Sequence, residues 1–319
     1  MTALFQLKYE LYGNTFWLNE RTKYYFKQNS NITDRDGEIL YSYLAQQLDL
    51  EVVKVRPAID VNVESRNKIG VEGIIVEHFA HELPNTDFVF AYDLKYVDCE
   101  HSVENNLKGL KKYQNALLAS GAKKVVLDKN IKLNLQKMFI MDFLTMQRDR
   151  HSANVVYFCT KQPDGTIFVR LGKIFDNSMV FDFCSPVLKH LAKYSMSQKA
   201  WGNFVDACYR PRFFLKQQDI RLYEDREKGE NITKYHAKQI AALVQKDERI
   251  GDFYYKVLNL SFDQVYSKIK KDMPQYKFDF SKIKLARIIW TTECKFCKNK
   301  LIWNKKEHWQ NMHLSKKQK

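Results

Sequence analysis

The pattern of hydrophobic and polar positions changes character about a quarter of the way along the chain. Before residue 80 or so it favours strands; after that it favours helices. Leu4–Leu11 and Thr15–Leu18 are β-type runs around Gly13-Asn14, and Thr22–Lys27 is a third, which together predict an antiparallel meander. One helix is predicted inside this part. Ile39, Leu40, Tyr43, Leu44 and Leu48 share a helical face, with Asp34 or Asp36 to cap its start. Glu51–Val55 and Gly70–Phe79 are predicted as further strands, the second running into the polar linker His81–Thr86.

Beyond the linker the apolar spacing becomes helical. Ser102–Ala119 stops at Ser120-Gly121-Ala122, and Asn130–Gln147 runs directly into a polar cluster, Asp149-Arg150-His151. Val187–Lys193, Lys199–Cys208, Thr233–Gln245 and Gly251–Leu258 are predicted as further helices, with Glu224–Asn231 as a charged loop. One hairpin interrupts them: Val155–Phe158 and Thr166–Val169, joined across the turn signal Pro163-Asp164-Gly165. The expected fold class is α+β with two lobes. A small β-rich lobe spans 1–80, a larger helical lobe spans 81–275, and a cleft lies between them; 276–319 is expected as a basic tail.

Composition adds limits. With 319 residues and 45% hydrophobic content the chain can bury a sizeable core. No stretch reaches the roughly 18 to 20 apolar residues of a membrane span. The first residues lack a basic segment followed by an apolar core, so a cytoplasmic protein is expected, with delivery as a secreted effector left open. Four of the six cysteines are scattered and read as reduced thiols. Net charge is +15, and Ser281–Lys319 holds eleven basic against two acidic residues. That segment reads either as an arm for an acidic partner, nucleic acid included, or as a lysine-rich terminus serving solubility.

The chemistry concentrates around Asp149. Asn154 follows it as Asp-x-x-x-x-Asn, and past the hairpin comes Asp176 in Ile174-Phe175-Asp176-Asn177-Ser178. Protein kinases space their base and metal-binding residues in this order. One carboxylate must face the attacking hydroxyl, an amide oxygen must face the metal, and a second carboxylate must join that metal to the phosphates. In the same order, Lys27 closes a strand and Glu38 sits early in the next helix, the positions of a phosphate-contacting lysine and its acidic partner. Gly13 lies in a turn that either approaches a phosphate or only closes a hairpin. Backbone groups near Glu77 and Phe79 fall where a hinge reads an adenine edge.

Asp142–Tyr157 resembles the catalytic segment of the HipA-like serine/threonine kinases, and Ile174–Ser178 resembles their metal-binding segment. Thr22–Lys27 and the Glu38 helix match that family's lysine strand and the helix after it. The resemblance covers roughly residues 20 to 185 and is greater to the compact CtkA-type branch, since there is no room here for the extra N-terminal subdomain of the larger toxins. It implies an ATP- and Mg²⁺-dependent kinase acting on Ser/Thr of a protein substrate and phosphorylating itself. Asp149 would be the base, Asn154 and Asp176 would hold Mg²⁺, Lys27 would contact the phosphates and pair with Glu38, and His151 would order the loop. A neutralising antitoxin-type partner is compatible with the resemblance. Two departures stand out: Ser178 replaces a glycine common in the family, and no glycine-rich phosphate loop is recognisable.

Two other function classes stay open. Phosphoinositide 3- and 4-kinases share the Asp-Arg-His-x-x-Asn order, so a lipid kinase is one. A non-catalytic nucleotide- or nucleic-acid-binding protein is the other. The tail bears on the second, since Cys294-x-x-Cys297 followed by His308 and His313 has the donors of a small zinc knuckle, with a gap two residues short of finger spacing.

Overall fold

The computed structural model describes residues 6–11, 14–19, 24–27, 32–65, 68–77, 85–94, 101–177, 179–181, 211–219, 232–274, 276–278, 282–292 and 294. The first lobe is a twisted antiparallel sheet and one helix. Strands β1 (Gln6–Leu11) and β2 (Asn14–Asn19) form a hairpin, and β2 pairs with β3 (Tyr24–Lys27). After helix α1 (Ile32–Gln47) come β4 (Val55–Ser65) and β5 (Lys68–Glu77), giving the order β1-β2-β3-β5-β4. Lys27 stands opposite Ile74 in the β3–β5 ladder, and the β4–β5 register shifts between Asp60 and Glu64.

The helix α1 starts earlier than its predicted caps. Asp34 and Asp36 lie within it, and Asp36 is buried, accepting from the Tyr276 hydroxyl at 2.6 Å and pairing with Lys282. A carboxylate with two such partners has no need to cap a helix. The apolar face Ile39, Leu40, Leu44 and Leu48 is buried as expected. Ser42 donates to the Val53 carbonyl at 2.8 Å, which ties the helix to the chain entering β4. Of the predicted strand Glu51–Val55, only Val55 is in a regular strand. Val52 instead forms a bridge to Ile174 of the second lobe.

The second lobe holds a four-stranded sheet in the order β6-β9-β10-β8. Its strands are β6 (Thr86–Phe90), β8 (Lys124–Leu127), β9 (Val156–Lys161) and β10 (Thr166–Leu171). The predicted hairpin is its centre, turning at Gly165 with φ of 84°. Strands β6 and β8 were not expected; β6 is half-exposed, and β8 follows the glycine stop of helix α2 (Val103–Ala119). Before α2 the short strand β7 (His101–Ser102) pairs in parallel with β11 (Phe213–Phe214). Helix α3 (Ile131–Leu144) is apolar on nearly all sides, and its residues from Leu135 to Leu144 are buried apart from Lys137, as a helix at the centre of a lobe must be.

Helices α4 (Ile232–Lys246), α5 (Glu248–Leu258) and α6 (Phe262–Asp272) complete the lobe. Helix α6 was not expected, although Phe262, Val265 and Ile269 are spaced to form its buried face. The predicted tail from 276 begins inside the packed body. Helix α7, residues 282–292, buries Ile283, Ala286, Ile289 and Trp290, an apolar stripe that the high lysine count obscures. The predicted helices Val187–Lys193 and Lys199–Cys208 and the loop Glu224–Asn231 lie outside the described residues.

His236 of α4 is fully buried among the rings of Phe139, Phe143 and Phe214, with centroids 5.2 to 5.9 Å away. Neither ring nitrogen has a hydrogen-bond partner among the described residues. Burial pushes its pKa down to about 3 from an ordinary 6.5. Below pH 6.5 the unfolded chain takes up a proton that the folded chain refuses until about pH 3, so stability falls as pH falls through that window. We expect His236→Phe to flatten the acid limb of a denaturation series by up to about 1.4 kcal/mol per pH unit. An unchanged slope would show that His236 already charges in the folded state.

Candidate active site

The site begins where α3 ends. Thr145 closes the helix, Met146 takes a left-handed φ of 53°, and Gln147 N–H reaches back to the Asp142 carbonyl at 2.8 Å. With Met146 N–H on Phe143 this is a Schellman stop built without glycine. It turns the chain from the core into the polar cluster. The Gln147 side chain then accepts from Asp149 N–H at 3.1 Å, and its amide group donates to the Asp176 carbonyl at 3.4 Å. Asn154 donates from Nδ2 to the Asp149 carbonyl at 2.7 Å. That bond uses the nitrogen and leaves the amide oxygen as the donor atom for any cation.

Arg150 holds these pieces together from below. Its side chain is 0% exposed. Nε and Nη2 donate to the two oxygens of Asp142 at 3.0 and 3.2 Å, a bidentate pair. Nη1 donates to the carbonyls of Phe175 at 2.7 Å and Asn154 at 3.3 Å, and Nη2 also reaches Asn177 Oδ1. Asp142 accepts a further bond from Tyr41 of α1 at 3.0 Å. Burial raises the Asp142 pKa, while the Asp142 charge holds that of Arg150 above its ordinary value.

Phe175 and Asn177 flank Asp176, whose φ of 52° is left-handed. Arg150 therefore grips the residues on both sides of a strained acidic residue. Glu51 and Val53 add backbone bonds to Ile174 at 2.8 and 3.0 Å, joining the first lobe to the same segment.

Asp149 itself is 26% exposed. Burial raises its pKa and the nearby Asp176 carboxylate raises it further, while His151, Arg212 and Arg150 pull it down. His151 Nε2 lies 3.8 Å from the Asp149 carboxylate, and burial lowers its pKa. The loop also rests on a buried chain of polar groups. Tyr157 donates to Asn106 at 2.6 Å, Asn106 Nδ2 meets His101 Nδ1 at 2.7 Å, and His101 Nε2 bonds the Arg150 carbonyl at 3.1 Å. Burial pushes the His101 pKa down to about 3, so a neutral ring with its proton on Nε2 fits all three bonds.

Asp149, His151, Asn154 and Asp176 are thus brought together in one loop cluster. Glu38 is buried in the second turn of α1 rather than in its first. The Lys27 side chain, Gly13, Phe79 and Ser178 lie outside the described residues. Glu77 is buried at the end of β5, accepts from Lys54 N–H at 3.1 Å and pairs with Lys173 at 3.0 Å. Cys294 is buried, whereas Cys297, His308 and His313 lie outside the described residues; among the described residues no group of three or more His, Cys, Asp or Glu is placed to hold a metal. Sequence reasoning missed the roles of Arg150, Asp142, His101, Lys173 and Arg212. Only Asp142 and Arg150 left a trace, as two charges eight residues apart across a helix end.

Removing one half of the buried pair leaves the other uncompensated. We expect Arg150→Met to cost roughly 3–5 kcal/mol in chemical denaturation, and the double change Asp142→Leu/Arg150→Met to recover part of it. Equal losses in single and double variants would mean that the bonds to Phe175 and Asn177, not the pair, carry the effect.

No protein-family model matches the chain, and no curated protein matches it by sequence. Among solved structures, the Helicobacter pylori proinflammatory kinase CtkA matches with a TM-score of 0.57 at 12% identity, covering 92% of each chain. HipA of Shewanella oneidensis MR-1, solved with HipB and operator DNA, matches with a TM-score of 0.35 at 15% identity, over 87% of this chain and 58% of that one. Among the described residues no helix is long and apolar enough to cross a membrane. The chain has an α+β, two-lobed kinase-like fold similar to that of CtkA, the fold expected from its sequence.

Proposed function

We propose that this protein is an ATP- and Mg²⁺-dependent protein kinase that transfers the γ-phosphate to Ser/Thr hydroxyls, its own included. The observation that carries the reading is the Arg150 network, which holds the loop of Asp149 and Asn154 against the segment of Asp176. Phosphoryl transfer asks for this more than for covalent chemistry: positioned oxygens and charge stabilisation.

In this reading Asp149 orients the acceptor hydroxyl and takes its proton, while the acceptor oxygen bonds to phosphorus and the bond to the bridging oxygen of ADP breaks. His151 orders the loop beside Asp149. Lys27 contacts the phosphates with Glu38 as its partner, and the chain at Glu77–Phe79 meets the adenine. Asn154 and Asp176 are hard oxygen donors. One carboxylate and one amide suit Mg²⁺, which completes its shell with phosphate and water. When bound, that ion would neutralise charge on the phosphates. The same donors make a poor zinc site, which needs a fuller set of nitrogen and sulfur ligands.

The test is transfer from γ-labelled ATP to the protein itself and to a generic basic protein. Asp149→Asn and Asp176→Asn should each lose activity on the order of 10²–10⁴-fold while keeping the wild-type Tm. Full activity in Asp149→Asn would remove it as the base. Label appearing on phosphoinositide vesicles and on no protein would make this a lipid kinase instead.

A further inference from the structure

The site contains a second guanidinium, and its placement is as deliberate as that of Arg150. Strand β11 pairs with β7 so that Phe213 stands opposite His101, and His101 N–H donates to the Arg212 carbonyl at 3.0 Å. The His101 ring lies 4.9 Å from that of Phe213 and bonds through Nε2 to the carbonyl of Arg150, the residue after Asp149. One histidine therefore ties the backbone that carries Arg212 to the backbone that carries Asp149. Arg212 Nη1 ends 3.6 Å from the Asp149 carboxylate.

The two arginines differ in what they can reach. Arg150 is wholly buried, with its donors committed to Asp142, Asn154, Phe175 and Asn177. It cannot touch a substrate. The Arg212 side chain is 46% exposed, and its contact with Asp149 is longer than a hydrogen bond. An acceptor hydroxyl served by Asp149 sits about 2.6–3.2 Å from that carboxylate. Reacting atoms in a productive complex are roughly 3–3.5 Å apart. The oxygens of the transferring phosphoryl group thus come within the sweep of a guanidinium already resting against the same carboxylate. A planar fork of donors matches two phosphoryl oxygens. The groups around Asp149 are Asp176, Arg150, which is committed beneath the loop, and His151, whose pKa burial lowers, so two carboxylates face Arg212 before a triphosphate enters.

We propose that Arg212 is a catalytic residue: it leaves Asp149 when nucleotide and acceptor are bound and grips the oxygens of the phosphoryl group in flight. The inference rests on the kinase reading. The acceptor oxygen–phosphorus bond forms, the bond from phosphorus to the bridging oxygen breaks, ADP departs with that oxygen and its electron pair, and the acceptor proton goes to Asp149. Arg212 exchanges no atom. It offsets charge that is spread over the phosphoryl oxygens only during transfer, so its effect belongs in kcat.

Two measurements test this. In steady-state transfer, Arg212→Ala should lower kcat on the order of 10²–10³-fold with the KM for ATP changed by less than about threefold. Arg212→Lys, which keeps the charge without the fork, and free guanidinium added to Arg212→Ala should each restore part of the rate. Without turnover, aluminium fluoride should tighten retention of ADP and Mg²⁺ in the wild type, and Arg212→Ala should lose that gain while binding ADP and Mg²⁺ as before. A wild-type kcat in Arg212→Ala, a loss confined to KM, or an unchanged response to aluminium fluoride would overturn the assignment alone. A wild type that neither transfers phosphate nor responds to aluminium fluoride would overturn the kinase reading and this one with it.

Discussion

The site depends on the burial of one positive charge. A guanidinium wholly out of water is tolerable only when paired and hydrogen-bonded, and Arg150 meets that condition by drawing on several segments at once. Asp142 supplies the last turn of α3, the Asn154 carbonyl supplies the loop that follows Asp149, and the Phe175 carbonyl and Asn177 supply the segment around Asp176. Tyr41 brings in α1 through Asp142. Displacing any one of them leaves a buried donor or acceptor unmet, at a cost of about 1–3 kcal/mol. The spacing between Asp149 and Asp176 is therefore a property of neither loop alone. It is set by the reach of one side chain beneath both.

That network also accounts for strain that the local sequence would not choose. Met146 and Asp176 both hold a left-handed φ without being glycine, which costs each about 1 kcal/mol or more. At Met146 the Schellman bonds and the burial of the side chain offset the cost. At Asp176 the offset comes from outside, through bonds to the residues before and after it. A left-handed acidic residue that is clamped on both flanks keeps its carboxylate close enough to raise the pKa of Asp149. Two carboxylates this close each make the other harder to ionise.

Much of this was legible in the residues themselves. The spacing of Asp149, Asn154 and Asp176 marked the segments that the structure brings together, and the strand-then-helix division of the chain follows from hydrophobic period. What stayed hidden has physical causes. Strand β8 pairs in parallel with a strand about forty residues away, and a parallel partner leaves no turn signal to read. Arg212 reaches Asp149 only because β11 pairs with β7, more than a hundred residues earlier in the chain. The stripe Ile283, Ala286, Ile289 and Trp290 was masked by the basic residues interleaved with it, Lys282, Lys284 and Arg287, and by the lysine-rich sequence that follows. Asp36 looked like a cap because an acid near a helix start usually is one; here Tyr276 and Lys282 claim it from a distant part of the chain.

The division of charge between depth and surface bears on how the lobes communicate. Glu77 belongs to the first lobe and Lys173 to the second, and their pair is mostly buried. The next residue, Ile174, bridges to Val52 and exchanges backbone bonds with Glu51 and Val53. Asp176 follows two residues later. A shift of the first lobe thus meets the segment of Asp176 directly, through a backbone bridge and an ion pair, before it can reach Asp149. The loop of Asp149 is fixed to the second lobe by His101, Asn106 and Tyr157. Arg150 is bonded to both segments. In this kinase-like fold the first lobe is joined most directly to the segment of Asp176, and Arg150 joins that segment to the loop of Asp149.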